Sequence, residues 1–254
     1  MKVARVTAWG QPPQYITHGP SLPDPSPSQV QLKVLAVGVP RIVRSSTGNK
    51  YYIVPGAVPL LAERANVELN QMLQLAPEAD PITVAALINP VSSSWMALKV
   101  RVIGGCRGRA VFILGATTES GRRAIHIAHE LGAAKIVGAS RNKETLDQVE
   151  GLDERVLLDD RLNLPKTVGP LDIVLDFVGG PIAAALMHAA EIREGLHLLN
   201  ARLIRIMESG MSAFSMLEIK KEITGPVNIV TAALADVETV WDSVAEKKRL
   251  VLIP

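Results

Sequence analysis

The chain has 254 residues, of which 48% are hydrophobic and 4% aromatic, and its 27 basic and 25 acidic side chains leave a formal net charge of +2. That balance, with no basic patch interleaved with aromatics, excludes the electrostatic footprint of a nucleic-acid binder. A single cysteine, Cys106, excludes an internal disulfide framework and a multi-cysteine zinc site, and it fits a reducing compartment.

Further expectations follow from composition. The basic run Lys247-Lys248-Arg249 reads as a solvated turn. Met1 to Thr7 alternates polar and apolar residues and lacks the apolar centre of a secretory signal. No window comes near the roughly 18 apolar residues of a membrane span. A cytoplasmic protein with no membrane or nucleic-acid partner is expected. With so few aromatics the core is built from Ala, Val, Leu and Ile, which suits parallel strands covered by helices.

In chain order, Val3 to Ala8 and Gln29 to Val37 read as strands. In the second, Val30, Leu32, Val34 and Ala36 alternate with Gln31, Lys33 and Leu35. Between them Pro20, Pro23, Pro25 and Pro27 mark an extended connector, because proline lacks the ladder donor. From Pro81 to Val100 the pattern is helical, and Pro90 is expected to split it into two short helices or one kinked one. The centre alternates strand and helix. Strand Ala110 to Leu114 ends at Gly115, and Ala124, Ile127, Ala128 and Leu131 form one helix stripe closed by Gly132. Strand Lys135 to Ala139, helix Glu144 to Val149, strand Leu171 to Asp176, helix Pro181 to Ile192 and strand Gly195 to Leu199 follow. This rhythm predicts an α/β fold with a doubly wound parallel sheet. Val227 to Val230, a helix around Asp236 to Val244 and the strand Arg249 to Ile253 complete the chain.

The sharpest motif is Ala110 to Gly121, a buried strand, a tight loop and a helix start. Unpaired amides at a helix N-terminus, together with the helix dipole, form a site for a pyrophosphate. Gly115 permits the turn and Gly121 permits close packing of helix on strand, while Thr118 stands where a middle glycine is usual. An ordinary strand-to-helix turn is the bland alternative. The next strand ends Ser140-Arg141-Asn142-Lys143, with no acid before Glu144 to receive the ribose hydroxyls of NAD. Ser140 and Arg141 suit a 2′-phosphate, so NADPH is favoured over NADH. The alternative is that Arg141 and Lys143 are solvated charges at a helix start.

These residues with their flanks resemble the medium-chain dehydrogenase/reductase superfamily, in its zinc-free quinone oxidoreductase and enoyl reductase branch. The similarity runs through Met1 to Trp9, Pro23-Asp24-Pro25, Val30 to Val39, Ala85 to Pro90, Ser93 to Leu98, Leu171 to Gly180, Leu234 to Trp241 and Arg249 to Pro254. The resemblance implies a β-rich GroES-like catalytic domain at 1–88 and 231–254 and a Rossmann-type dinucleotide-binding domain at 89–230. It also implies hydride delivery from NADPH to an activated C=C or a quinone, in a cleft between the domains. On this resemblance Gly115, Ala116, Thr117, Thr118 and Gly121 line the pyrophosphate, and Ser140 and Arg141 meet the 2′-phosphate. Asn89 and Ser94 sit near the nicotinamide half, and Phe177 and Val178 touch the nicotinamide or its ribose. Tyr51 and Tyr52 are the first candidates for the proton donor. The alternatives are packing or surface tyrosines, with solvent as the proton source. The substrate is an apolar enone or quinone. A homodimer joined through an edge strand near Val227 to Val230 is expected.

Two departures from that family stand out. Pro40 occupies the place of a zinc-ligating cysteine and no Gly-His-Glu occurs, whereas catalytic zinc takes three protein ligands and an open position. No metal is expected, and His126 and His129 read as polar residues on an exposed helix face. The chain is also several tens of residues shorter than the family, mainly near Gly56 to Ala62 and Asn200 to Ala201, so the GroES-like domain is shortened. Two rival functions therefore stay open, an NADPH-binding sensor or structural protein without reductase activity, and a redox-neutral isomerase or cyclase on the same scaffold.

Overall fold

A computed structural model describes residues 1–8, 11–38, 41–46, 49–53, 61–77, 79–159, 168–184, 192–200, 227–242 and 248–254, with the backbone alone for 41–46 and 192–200. Pro40, the stretch 56–60, the expected helix residues 185–191 and the stretch after Asn200 lie outside the described residues. The described residues divide into one compact unit of 1–89 with 227–254 and another of 90–200. The expected boundary at 230/231 therefore falls earlier, and Val227 to Val230 belongs with the first unit.

The first unit contains β1 (Val3–Arg5), β2 (Gln14–Ile16), β3 (Gln29–Gly38), β4 (Arg41–Ser46), β5 (Asn49–Ile53), β6 (Arg64–Glu68) and β7 (Met72–Gln74). It ends with the later strands β13 (Ile229–Ala233) and β14 (Arg249–Ile253). β3 is its axis, pairing with β14, β4 and β6 in a seven-stranded sheet, while β1 and β2 form a separate ribbon. The alternation read from β3 holds, with Leu32, Val34 and Ala36 buried and Lys33 exposed. Leu32 joins Ile53, Ala65 and Val67 in one apolar cluster, and Val34 joins Val37, Leu234, Val237 and Leu252 in another. Among the described residues β13 is an edge strand of this sheet, pairing in parallel with β14. The expected helix near Asp236 to Val244 is a single turn, Val237–Val240, among the described residues.

Helix α1 (Pro81–Trp95) runs through Pro90 without a break and passes directly into the π-helical segment Met96–Arg101. The expected split does not occur. The missing Pro90 amide costs the helix its bond to the Ala86 carbonyl, and burial of Ala86, Leu87, Ile88 and Val91 holds the helix across that gap. The Pro90 carbonyl itself accepts from the Ser93 hydroxyl at 3.1 Å and the Ser94 hydroxyl at 3.0 Å. By length and mean hydropathy Pro81–Arg101 could cross a membrane, which corrects the expectation that no window comes near; 67% of its most apolar window is buried inside the protein.

The second unit contains β8 (Ala110–Leu114), α2 (Glu119–Glu130), β9 (Lys135–Ser140), α3 (Lys143–Asp147), β10 (Glu154–Leu157), β11 (Leu171–Asp176) and β12 (Ile192–Asn200). All five strands pair in parallel in the order β10-β9-β8-β11-β12. Numbered within the unit this is 3-2-1-4-5, the Rossmann order, which reverses between β8 and β11. Every residue of β8 from Val111 to Leu114 is fully buried. Ile192 opens β12 rather than ending the preceding helix as expected.

The start of α1 is pinned by Asp80, whose Oδ2 accepts hydrogen bonds from the Thr83 amide at 2.8 Å and hydroxyl at 2.7 Å, with Pro81 at the first helical position. Burial pushes the Asp80 carboxyl up, but the Thr83 and Ile82 bonds and the Lys50 ammonium outweigh it and hold the carboxyl below its usual value. Asp80→Ala is expected to cost about 1 kcal/mol in urea unfolding at neutral pH. Because the folded value is depressed, that contribution is present above the unfolded value of about 4 and is lost as pH falls through the folded one. The wild-type and variant curves should therefore converge in acid.

Candidate cofactor-binding site

The site begins where β8 ends. Gly115 has φ +87°, a left-handed conformation that favours glycine. A Cβ there would lie 2.9 Å from Val178 Cγ2 and 3.4 Å from Phe177 Cβ. The loop after β8 thus abuts the loop after β11 at the switch point of the sheet, where ligands of such folds bind. Gly121 serves the close approach expected of it, since a Cβ would lie 2.3 Å from the Gly115 carbonyl oxygen and 2.8 Å from Ala116 Cα.

Thr118 takes a role the sequence did not reveal. It is the N-cap of α2, with its Oγ1 accepting from the Gly121 amide at 3.0 Å and donating to the Gly115 carbonyl at 2.8 Å. The threonine in the usual glycine position therefore closes the loop on itself. The amides of Gly115 and Ala116 both donate to the Ala139 carbonyl, at 3.0 and 3.1 Å, and the Thr118 amide donates to Gly115 at 3.0 Å. Among the described residues this leaves the Thr117, Glu119 and Ser120 amides without a protein acceptor at the helix start. Those are the groups that can receive phosphate oxygens.

At the end of β9, the Ser140 hydroxyl lies 3.1 Å from that of Thr117, which joins the two expected phosphate-binding segments. Arg141 is exposed and has no ion-pair partner among the described residues. Lys143 pairs with Asp147 at 2.6 Å, and Asn142 caps α3 through the Thr145 amide at 3.0 Å. Arg141 is therefore the available cation. Gly138, not singled out from the sequence, is required as well, because a Cβ would lie 2.5 Å from Leu152 Cδ1 and 2.9 Å from Ala116 Cβ.

Phe177 and Val178 are half-buried beside Gly115. Asp176, 2% exposed, shapes their loop by accepting from the Val178 amide at 2.8 Å and the Gly179 amide at 2.7 Å. Its position at the end of an apolar strand is visible in the sequence, but its turn-forming role is not. Ser94 is fully buried, with its hydroxyl 3.0 Å from both the Pro90 and Ser120 carbonyls, so it braces the first turn of α2. Asn89 is half-buried on α1, in the first unit. Tyr51 and Tyr52 also belong to that unit. Tyr52 is 2% exposed, and Tyr51 is half-buried against the Leu32–Ile53–Ala65–Val67 cluster. One unit thus brings together Gly115 to Gly121, Ser140, Phe177 and Val178, while Asn89 and the two tyrosines belong to the other.

On α2, His129 Nε2 lies 2.7 Å from the Gly151 carbonyl oxygen, and burial together with the Arg123 charge pushes His126 below the usual histidine value. Arg123, 2% exposed, holds the Glu119 carboxylate in the first turn. Replacing Thr118 with valine keeps the shape and removes both hydroxyl bonds. The expected loss is about 1 kcal/mol in chemical denaturation, with Thr118→Ser retaining most of the stability.

No protein-family profile matches the chain. A protein named a probable NADPH-dependent quinone reductase, from Emericella nidulans, is 34% identical over 355 aligned positions covering the whole of both chains. Set against 254 residues, that span leaves about a hundred positions with no counterpart here. An acryloyl-coenzyme A reductase from Sulfurisphaera tokodaii is 28% identical over 122 residues, 47% of this chain and 36% of that protein. The quinone oxidoreductase of Thermus thermophilus, solved also in complex with NADPH, shares the fold at TM-score 0.75 and 20% identity over all of both chains. With a relative at 34% identity across its whole length and a Rossmann-ordered sheet that carries a glycine loop, the chain belongs to the medium-chain dehydrogenase/reductase superfamily, in its quinone oxidoreductase and enoyl reductase branch.

Proposed function

We propose that this protein is an NADPH-dependent, zinc-independent reductase that transfers hydride to a small apolar quinone or to the activated C=C of an enone. The observation that carries the reading is the pairing of three unsatisfied amides at the start of α2 with an available guanidinium, Arg141, at the end of β9. The first set suits a pyrophosphate and the second a 2′-phosphate. The names carried by the relatives from Emericella nidulans and Thermus thermophilus support the same cofactor.

NADPH, when bound, supplies the hydride; the protein supplies binding, orientation and electrostatics. The Thr117, Glu119 and Ser120 amides hold the pyrophosphate. The Ser140 hydroxyl and Arg141 hold the 2′-phosphate, with Thr117 linking the two subsites through its contact with Ser140. Phe177 and Val178 offer an apolar wall to the nicotinamide ribose, and the Asp176 turn fixes their backbone. Reduction of a carbonyl-activated acceptor builds negative charge on oxygen, which needs a donor. Tyr51, which keeps some exposure in its unit, is the first proton donor to test, ahead of the buried Tyr52, with solvent as the other source. The same reading makes the protein cytoplasmic and homodimeric.

One observation favours a second reading. About a hundred positions of the Emericella nidulans relative have no counterpart here, which suits a cofactor-binding protein without reductase activity.

Titration calorimetry should show NADPH binding more tightly than NADH. Arg141→Ala should weaken NADPH by roughly 10- to 100-fold, the worth of a charge-assisted phosphate contact, and leave NADH unchanged. NADH binding as tightly as NADPH would refute the cofactor assignment. Oxidation of NADPH with quinones or enones should proceed at a measurable rate; tight binding without turnover on any tested acceptor would favour the second reading. If Tyr51 is the donor, Tyr51→Phe lowers kcat with enones while leaving NADPH affinity unchanged.

A further inference from the structure

Glu119 is the first residue after the N-cap of α2. In a helix without ligand a carboxylate there is stabilised by the dipole. Beside the phosphates of a dinucleotide the same carboxylate is a like charge at the mouth of the site. The structure meets this conflict with Arg123, one turn further on. Its Nε donates to Glu119 Oε1 at 2.7 Å, and a terminal guanidinium nitrogen bonds the same oxygen. The pair is not an ordinary surface contact. The Arg123 side chain is 2% exposed and that of Glu119 is 20% exposed. The pair at the same spacing on α3, Lys143 with Asp147, is 70% and 51% exposed. A solvated pair of that kind has little effect on anything nearby, whereas a buried charge must be matched and acts through a medium that screens it weakly.

We infer that Arg123 is a positioning residue for the pyrophosphate subsite, cancelling the Glu119 charge and holding that carboxylate along the helix so that the first-turn amides stay available to an anion. The inference rests on the NADPH reading and adds to it a residue that touches no part of the cofactor. Its effect is confined to the phosphates nearest the helix start. A ligand that reaches only the Ser140–Arg141 end does not feel it.

The test is titration calorimetry of the full chain with NADPH and with adenosine 2′-monophosphate, which lacks the pyrophosphate. Arg123→Met should weaken NADPH by roughly 5- to 30-fold, the effect of one uncompensated charge close to a helix end, and move adenosine 2′-monophosphate by less than about twofold. Adding Glu119→Gln to Arg123→Met should restore NADPH affinity to within about threefold of wild type, a rescue that a purely structural arginine would not give. Glu119→Gln alone, which keeps the guanidinium and so tests the idea even if Arg123→Met does not fold, should bind NADPH as well as wild type or better. Unchanged NADPH affinity in Arg123→Met, no rescue in the double variant, or weaker binding in Glu119→Gln would each overturn the inference. Wild type that binds adenosine 2′-monophosphate but not NADPH would overturn it too, and wild type that binds neither would overturn the NADPH reading with it.

Discussion

The approach of Gly121 to the Gly115 carbonyl is the contact on which the cofactor site depends. A side chain at 121 would place its Cβ 2.3 Å from that oxygen, so the first turn of α2 can sit on the end of β8 only with glycine there. Once the helix starts so close, Thr118 reaches both Gly115 and Gly121 with one hydroxyl. The Gly115 and Ala116 amides turn inward to the Ala139 carbonyl, which fixes the loop to β9. What remains outward is a short row of amides. Gly138 extends the same logic to the next strand, where Ala116 and Leu152 leave no room for a Cβ.

Charge is distributed along the parallel sheet in a way that complements this loop. At the opposite ends of the strands, Asp172 accepts from the Ala110 amide at 2.8 Å and Asp153 from the Ile136 amide at 2.7 Å. These carboxylates satisfy the donors at the starts of β8 and β9. The ends of the same strands, by contrast, lead to unpaired amides and to Arg141. Acidic groups thus complete the sheet at the starts of β8 and β9, while donors stay open at the start of α2. Two acids do lie near the open end, and both are engaged: Asp176 accepts the Val178 and Gly179 amides, and Glu119 is paired with the buried Arg123.

Much of this was legible in the sequence, because the elements concerned carry their own pattern. Leu171–Asp176 was read with both ends correct, and α2 was placed by the Ala124, Ile127 and Ala128 stripe. Gly115 and Gly121 were legible because local geometry alone demands glycine. β10 was missed because it shows only one buried residue, Val156, and so gives no period. β2 was missed as three half-exposed or exposed residues behind two prolines. The break expected at Pro90 did not occur because one lost hydrogen bond is outweighed by packing: Ala85, Ala86, Leu87, Ile88 and Val91 around it are all buried, a context that local sequence does not show. The bond from Ser94 to the Ser120 carbonyl joins residues 26 apart in the chain, a partnership that no local pattern shows. Arg123 is not singled out by the sequence, because spacing shows its partner Glu119 but not its burial.

Thr118 carries a last consequence. A glycine in its place would leave the loop many backbone states, and a dinucleotide would have to select one and meet the entropic cost on arrival. With the threonine bonded to Gly115 and Gly121, that cost falls on folding of the chain instead. The threonine thus moves an ordering step from ligand capture to the maturation of the chain.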